Sequence, residues 1–390
     1  MITLEPYTFN TQKFNMMKKY LTKMAVCLAG AALLTACDNE DETTPLVVPV
    51  TNGVYIVGSG NSSSGISGNL TYFDFNTEKA TVGAFKQANG IELGKTANDA
   101  LQYGSKLYIV VDGENTVFVV NGKTLQVIKA ISTTELLGDE AGVSPRRITA
   151  VDGNIYFSTY GGYVAAVDTT DFQLVNKYKA GSYPEGIIIV KNILYVANSD
   201  YGQGKNASIS MIDLKTGSET VIKNENIRNP QTVAVADNGT IYYLDYGLYG
   251  PAPDYEQMNA GLYKYENNTS TKLIADVTGI GCATTRIYAY SALYGKEVKF
   301  YLYDLASENV FPLSPEGIES PAAIEVDPNS GAVYIASYHM TTSEWGTFAD
   351  YSGNGYVNVY SYDLATKYTT FDCGVGPTRI VFNLGTQTVK

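Results

Sequence analysis

An apolar residue followed by tyrosine recurs seven times: Val54-Tyr55, Leu107-Tyr108, Ile155-Tyr156, Leu194-Tyr195, Ile241-Tyr242, Ile287-Tyr288 and Val333-Tyr334. Successive tyrosines lie 53, 48, 39, 47, 46 and 46 residues apart. A period of that size marks one supersecondary unit copied along the chain, hence a propeller or solenoid rather than separate domains. The 32 Tyr and 37 Gly in 390 residues favour strands and turns over helices. Few windows carry a sustained helical apolar stripe, so the chain reads as all-β.

Two further landmarks set the content of each unit. After each pair comes an apolar strand ending in a short polar residue and a turn: Asp74, Asn121, Asp168, Asp213, Glu266, Asp304 and Asp363. Side-chain oxygens at such positions accept hydrogen bonds from turn amides, so these seven read as structural. Before the next unit comes a proline corner at Pro145, Pro184, Pro230, Pro321 and Pro377, replaced by small or polar residues near Asn98 and Thr284. Each unit then holds four short strands, and seven such units make a seven-bladed β-propeller over residues 51–390. The stretch from Cys282 to Tyr288 is too short for a first strand and hairpin, which predicts one degenerate blade. The first unit lacks its innermost strand and the chain ends on an extra one, "TRIVFNLG", so the C-terminal strand should complete the first blade and close the ring.

"PEGIIIVKNILYVANSDYG", followed by "SISMIDLKTGSETVI", resembles the YVTN-type propeller repeat, with its proline corner, Tyr-Val strand and Val-Ile-Asp strand. Such a resemblance speaks for fold and little for function.

The N-terminus reads as an address. Residues 1–16 do not fit the start of a signal, and Met17 fits an initiator. From Met17 the chain has a basic start, an apolar run over 24–34, and Leu34-Thr35-Ala36-Cys37. That is secretory-signal layout, with an apolar run too short to span a bilayer comfortably. Residues 34–37 resemble the bacterial lipobox, which implies cleavage before Cys37 and acylation of that residue. The segment 37–50 would be an acidic tether, and its "DNEDE" resembles the surface-export signal of Bacteroidetes lipoproteins. An acidic run is otherwise a solvated spacer. The formal charge is −12, and the basic residues of the leader mean that the remainder is more acidic still. Such a surface repels phosphate backbones and argues against nucleic-acid partners. Cys282 and Cys373 either pair or stay as buried thiols, and they form no metal motif.

Function should sit where the variable loops after the second strands meet the corners before the first strands, around one mouth of the channel. The two longest loops follow Tyr242 and Tyr334. They carry Tyr246, Tyr249 and Tyr255, and Tyr338, His339, Trp345, Phe348 and Tyr351. These aromatics either form a ligand surface or pack on one another to fold the loops. The corners add Arg146, Arg147, Tyr183, Glu185, Arg228, Gln231 and Arg379. Their arginines either grip a phosphate or carboxylate, or pair with the excess acid. Catalysis has little support: His339 is the single histidine, and Glu344 and Asp350 have no motif around them. No enzyme, no metal and no resident cofactor are expected.

A lipid-anchored propeller of this kind resembles the corrinoid-binding surface lipoproteins of Bacteroidetes. The resemblance implies a cobalamin ligand handed to an outer-membrane, TonB-dependent-type transporter. It also implies that the aromatic loops cover the corrin ring while the corner groups reach its amides and phosphate. The other readings are a protein-interaction or adhesion propeller, and a carbohydrate-active or lyase propeller.

Overall fold

The computed structural model describes residues 46–251, 255–344 and 346–389. The leader, Cys37 and the start of the acidic tether lie outside the described residues, as does Trp345.

Among the described residues, seven four-stranded antiparallel sheets stand in a ring. Blade 1 is built from Leu46–Gly58, Asn69–Asp74, Lys79–Thr81 and, innermost, the C-terminal strand Pro377–Val389. Blades 2 to 7 then follow over 97–132, 145–179, 184–222, 230–275, 279–313 and 320–373, each running outward from its first strand. The predicted closure is therefore present: Leu46 pairs with Val389 at one end of the ladder and Gly58 with Pro377 at the other. Residues 46–50, placed in the tether by sequence, already belong to this ladder.

Blade 6 departs from the expectation of a degenerate unit. It has all four strands, with a short first strand, Gly279–Ala283, joined to Arg286–Ser291 by a two-residue turn. The strand begins upstream of the small-residue stretch that marks corners elsewhere. At Gly281 a Cβ would lie 2.4 Å from the Ile324 carbonyl oxygen of blade 7, so only glycine lets the strand pack this closely.

The repeated tyrosine has a definite job. Each packs against the second strand of the following blade: Tyr55 against Leu107, Tyr108 against Ile155, Tyr156 against Leu194, and so on to Tyr334 against Val54. The seven apolar clusters of the core are thus seven blade-to-blade interfaces, and all seven tyrosines are buried. Some phenols also reach across: the Tyr55 hydroxyl donates to the Gly122 carbonyl at 2.6 Å, and that of Tyr288 to the Tyr362 carbonyl at 2.5 Å. Buried phenols need such partners. A short helix, Ala84–Asn89, which the strand repeat did not announce, drops Phe85 into the first interface.

The strand-end acids act on their turns as expected. Asp74 accepts from the amides of Asn76 and Thr77, and Asp213 from those of Lys215 and Thr216, at 2.8–2.9 Å. Glu266 is the exception, bridging to Lys264 and Thr240 instead. Turn amides hold the Asp168 and Asp213 carboxyls below the usual range, and Ser307 and Ser361 do the same for Asp304 and Asp363. A depressed folded-state pKa contributes stability above the ordinary carboxylate range and loses it as pH falls through that range. Urea midpoints should therefore drop together between about pH 5 and pH 3, and a flat profile over that interval would contradict the turn bonds.

The two cysteines are free thiols, Cys373 buried and Cys282 open to the channel.

Candidate functional site: a tyrosine cleft on the corner face

Strand pairing puts the corners and the second-strand ends on one face: Pro145 opposite Thr159, Pro184 opposite Asn198, Pro230 opposite Asp245. On that face a cleft of about 640 Å³ opens between blades 3, 4 and 5. That is the usual size of a small-molecule site.

The floor is an ion cluster. Arg146 Nε lies 3.0 Å from Glu185 Oε2, and Arg146 Nη1 2.5 Å from Asp112 Oδ2. The guanidinium also covers the Tyr160 ring, 4.5 Å from its centre, and the Tyr160 hydroxyl donates to Glu185. Burial opposes the Arg146 charge, but Glu185, Tyr160 and Asp112 outweigh it and hold its pKa above the ordinary value. Burial, reinforced by Glu185, raises the Tyr160 phenol and keeps it a donor.

The walls are tyrosines. Tyr160 meets Tyr183 edge-on at 5.0 Å and Tyr201 at 5.9 Å, and Tyr183 and Tyr201 lie 5.1 Å apart. Tyr249 and Tyr255 come from across the cleft, on the insertion closed by the pairing of Leu248–Tyr249 with Gln257–Met258. Tyr201, Tyr249 and Tyr255 are 64%, 60% and 61% exposed, so a large part of each side chain stays open to solvent. Asn229, Gln231 and Gln203 add amide groups.

Local chemistry fixes these rings. The Asp200 carboxylate accepts from the amides of Lys205 and Asn206 at 3.0 and 2.8 Å, which folds the turn carrying Tyr201. The Ser199 hydroxyl donates to the Tyr183 carbonyl at 3.0 Å and ties that turn to the blade 4 corner. Buried Asp245 accepts from the amides of Arg228, Asn229 and Gly247, joining the blade 5 corner to its hairpin. Tyr183, Tyr201 and Tyr255 sit at φ of 51°, 50° and 43°. Among the described residues no other tyrosine has left-handed backbone, and all three belong to this cleft or its rim. For a bulky side chain that conformation costs about 1–3 kcal/mol, and such strain concentrates at ligand sites.

The structure sorts the sequence candidates into separate places. Arg146, Tyr249 and Tyr255 line the cleft and Tyr183 rims it. Tyr338, His339, Phe348 and Tyr351 do not: every residue lining the cleft comes from blades 3 to 5. In blade 7 the insertion folds as its own hairpin, Met340–Ser343 with Gly346–Ala349. There Tyr338 packs on Tyr351 at 5.0 Å, and His339 lies over Tyr356 and 3.0 Å from Glu319. Asp350 holds the turn amides of Ser352 and Gly353. These contacts tie the insertion together, while Tyr351 remains 55% exposed. Tyr246 and Arg379 face the central channel, while Arg228 contributes its amide to Asp245 and lines neither hollow. Both Arg146 and Arg379 are paired with acids rather than left to grip an anion. Sequence reading missed Tyr160 and Tyr201. Both follow second strands in short loops, whereas loop length singles out the insertions of blades 5 and 7.

No protein-family model matches the chain, and no curated protein matches it. Solved structures do. A Bacteroides uniformis protein, whose description as a 6-phosphogluconolactonase is provisional, aligns over 85% of this chain and all of its own, with 11% identity and a TM-score of 0.56. Hydrazine synthase from Kuenenia stuttgartiensis aligns over 68% of this chain and 77% of its own, with 17% identity and a TM-score of 0.51. A chain of a mitotic checkpoint complex aligns over 75% and 81%, at 9% identity and a TM-score of 0.52. Likeness at such identity establishes a shared propeller fold.

Proposed function

We propose that the protein is a cell-surface lipoprotein that captures a small, partly polar nutrient in the tyrosine cleft and passes it to an outer-membrane transporter. The observation that carries this is the set of three tyrosines in left-handed backbone around one open hollow. The floor supports an uncharged or weakly charged ligand, since one guanidinium there faces two carboxylates. A phosphorylated sugar lactone, the kind of substrate named for the Bacteroides uniformis neighbour, would bring a phosphate that meets that acid excess unfavourably. A corrinoid such as cobalamin is the first ligand to test: a flat macrocycle with an amide-bearing rim suits ring faces flanked by Asn229, Gln231 and Gln203. Cys37 and the acidic segment after it support lipid anchoring at the surface.

Calorimetry of the domain with cyanocobalamin should give saturable binding at micromolar concentrations. Tyr201→Ala and Tyr249→Ala should each weaken it by roughly tenfold, the effect of about 1.4 kcal/mol. No heat at micromolar protein and ligand would remove the corrinoid, and full affinity in both variants would move the site off this cleft.

A further inference from the structure

A second hollow, of about 230 Å³, lies in the central channel and shares no lining residue with the cleft. Its volume equals several water molecules at about 30 Å³ each. Four charged side chains face it: Asp99, Arg147, Glu325 and Arg379. Three of them form one ion cluster. Arg379 lies 2.9 Å from Asp99 through Nε and 2.5 Å from Glu325 through Nη1. Asp99 also accepts from the amides of Ala100 and Ile148.

Arg147 is different. Its side chain makes one bond, from Nη1 to the Asn98 carbonyl at 3.0 Å. Among the described residues no carboxylate lies within ion-pair distance of it. A guanidinium carries five N–H donors, so most of its fork is unused. It looks across at two phenols on the same wall, Tyr246 and Tyr290, whose ionisation its charge influences.

Tyr290 is 4% exposed as a residue, but its hydroxyl borders the hollow, is not among the sealed-off polar atoms, and makes no hydrogen bond to the described groups. Burial keeps that phenol protonated and hence a donor. Its placement is built in: a Cβ at Gly279 would lie 2.1 Å from the Tyr290 ring, so the glycine lets the ring lie flat over the first strand of blade 6. The largely unused fork of Arg147 and the free hydroxyl of Tyr290 thus present donors to the same hollow, where one anion could meet both.

We infer that the channel hollow is a binding site for a small monocarboxylate, gripped by the free fork of Arg147 with the Tyr290 hydroxyl as second donor. A single charge is the right match. Arg379 is already engaged by Asp99 and Glu325, and Glu325 repels a second negative charge. A planar carboxylate suits a guanidinium fork, which a spherical halide does not.

The test is calorimetric titration of the folded protein with sodium acetate and, separately, sodium propionate, at constant ionic strength set by chloride. One saturable site at millimolar concentration or tighter is expected. Arg147→Gln should weaken it at least tenfold, and Tyr290→Phe a few-fold. Tyr290→Phe keeps the ring, so it serves if the arginine variant folds poorly. Absence of saturable binding by either acid overturns the site, as does undiminished binding in both variants. Equal affinity for sulfate overturns the single-charge assignment. Tyr201 and Tyr249 report on the cleft and Arg147 and Tyr290 on the channel, so failure of one reading leaves the other standing.

Discussion

Deleting residues 377–389 should abolish cooperative folding. The segment is the innermost strand of blade 1, paired along its length with Leu46–Gly58, and it buries Ile380 in the interface with blade 7. Phe382 packs on Tyr334 of that blade at 5.1 Å. Removing one buried Ile side chain costs about 2–5 kcal/mol. A whole domain has only about 5–15 kcal/mol to lose. The deletion removes Ile380, Val381 and Phe382 together, along with a full ladder of backbone bonds. It also exposes a long unpaired edge, which invites aggregation. Thermal unfolding followed by near-ultraviolet circular dichroism should lose its sharp transition. A truncated protein that melted like the full-length chain would mean the ring does not depend on its closure. A circular permutant is the complementary control. Leu46 and Val389 are directly paired, so a two-residue Asn-Gly turn from 389 into 46 should give a ring that folds with its ends elsewhere.

The fold was legible because the residues that define it repeat. Tyr55 to Tyr334 occupy equivalent interfaces, and the sequence states that interface seven times. Closure was legible for the same reason, since a missing strand in the first copy and a surplus one in the last are visible as a count. Blade 6 was misjudged because its first strand begins without the proline or small-residue corner used as a marker, and Gly281 gives no sign of the neighbour it approaches.

The cleft was only half legible. Arg146, Tyr249 and Tyr255 could be named, but not which loops would meet, because that depends on the angle at which each blade presents its rim. Loop length favours the blade 7 insertion, whose aromatics meet one another in Tyr338–Tyr351 and His339–Tyr356 contacts and do not reach this cleft. Tyr160 sits in the shortest connection and was passed over, yet its ring covers Arg146 and its hydroxyl reaches Glu185. Strain at Tyr183 and Tyr201 is a backbone property with no composition signal, as neither is a glycine or asparagine where left-handed backbone would be expected.

Arg146→Met should cost about 3–5 kcal/mol of stability, the loss seen when one partner of a buried ion cluster is removed. Arg146 is 17% exposed, Glu185 3% and Asp112 18%, so the two carboxylates would be left facing each other with little water to screen them. The urea midpoint of unfolding reads this directly. Arg146→Lys should lose less, keeping the charge but not the fork that reaches Asp112 and Glu185 at once. The informative variant is the double one, Arg146→Met with Glu185→Leu. The second change removes one of the two stranded carboxylates and should recover part of the loss, a non-additivity between touching residues, while Asp112 still lacks its partner. Cyanocobalamin affinity should behave differently. The double variant removes the polar floor and the partner of the Tyr160 hydroxyl, so binding should stay weak while part of the stability returns. Recovery of both would mean that the cluster only holds blades 2, 3 and 4 together. Recovery of stability alone separates the scaffold from the site and ties the ligand to the floor of the cleft.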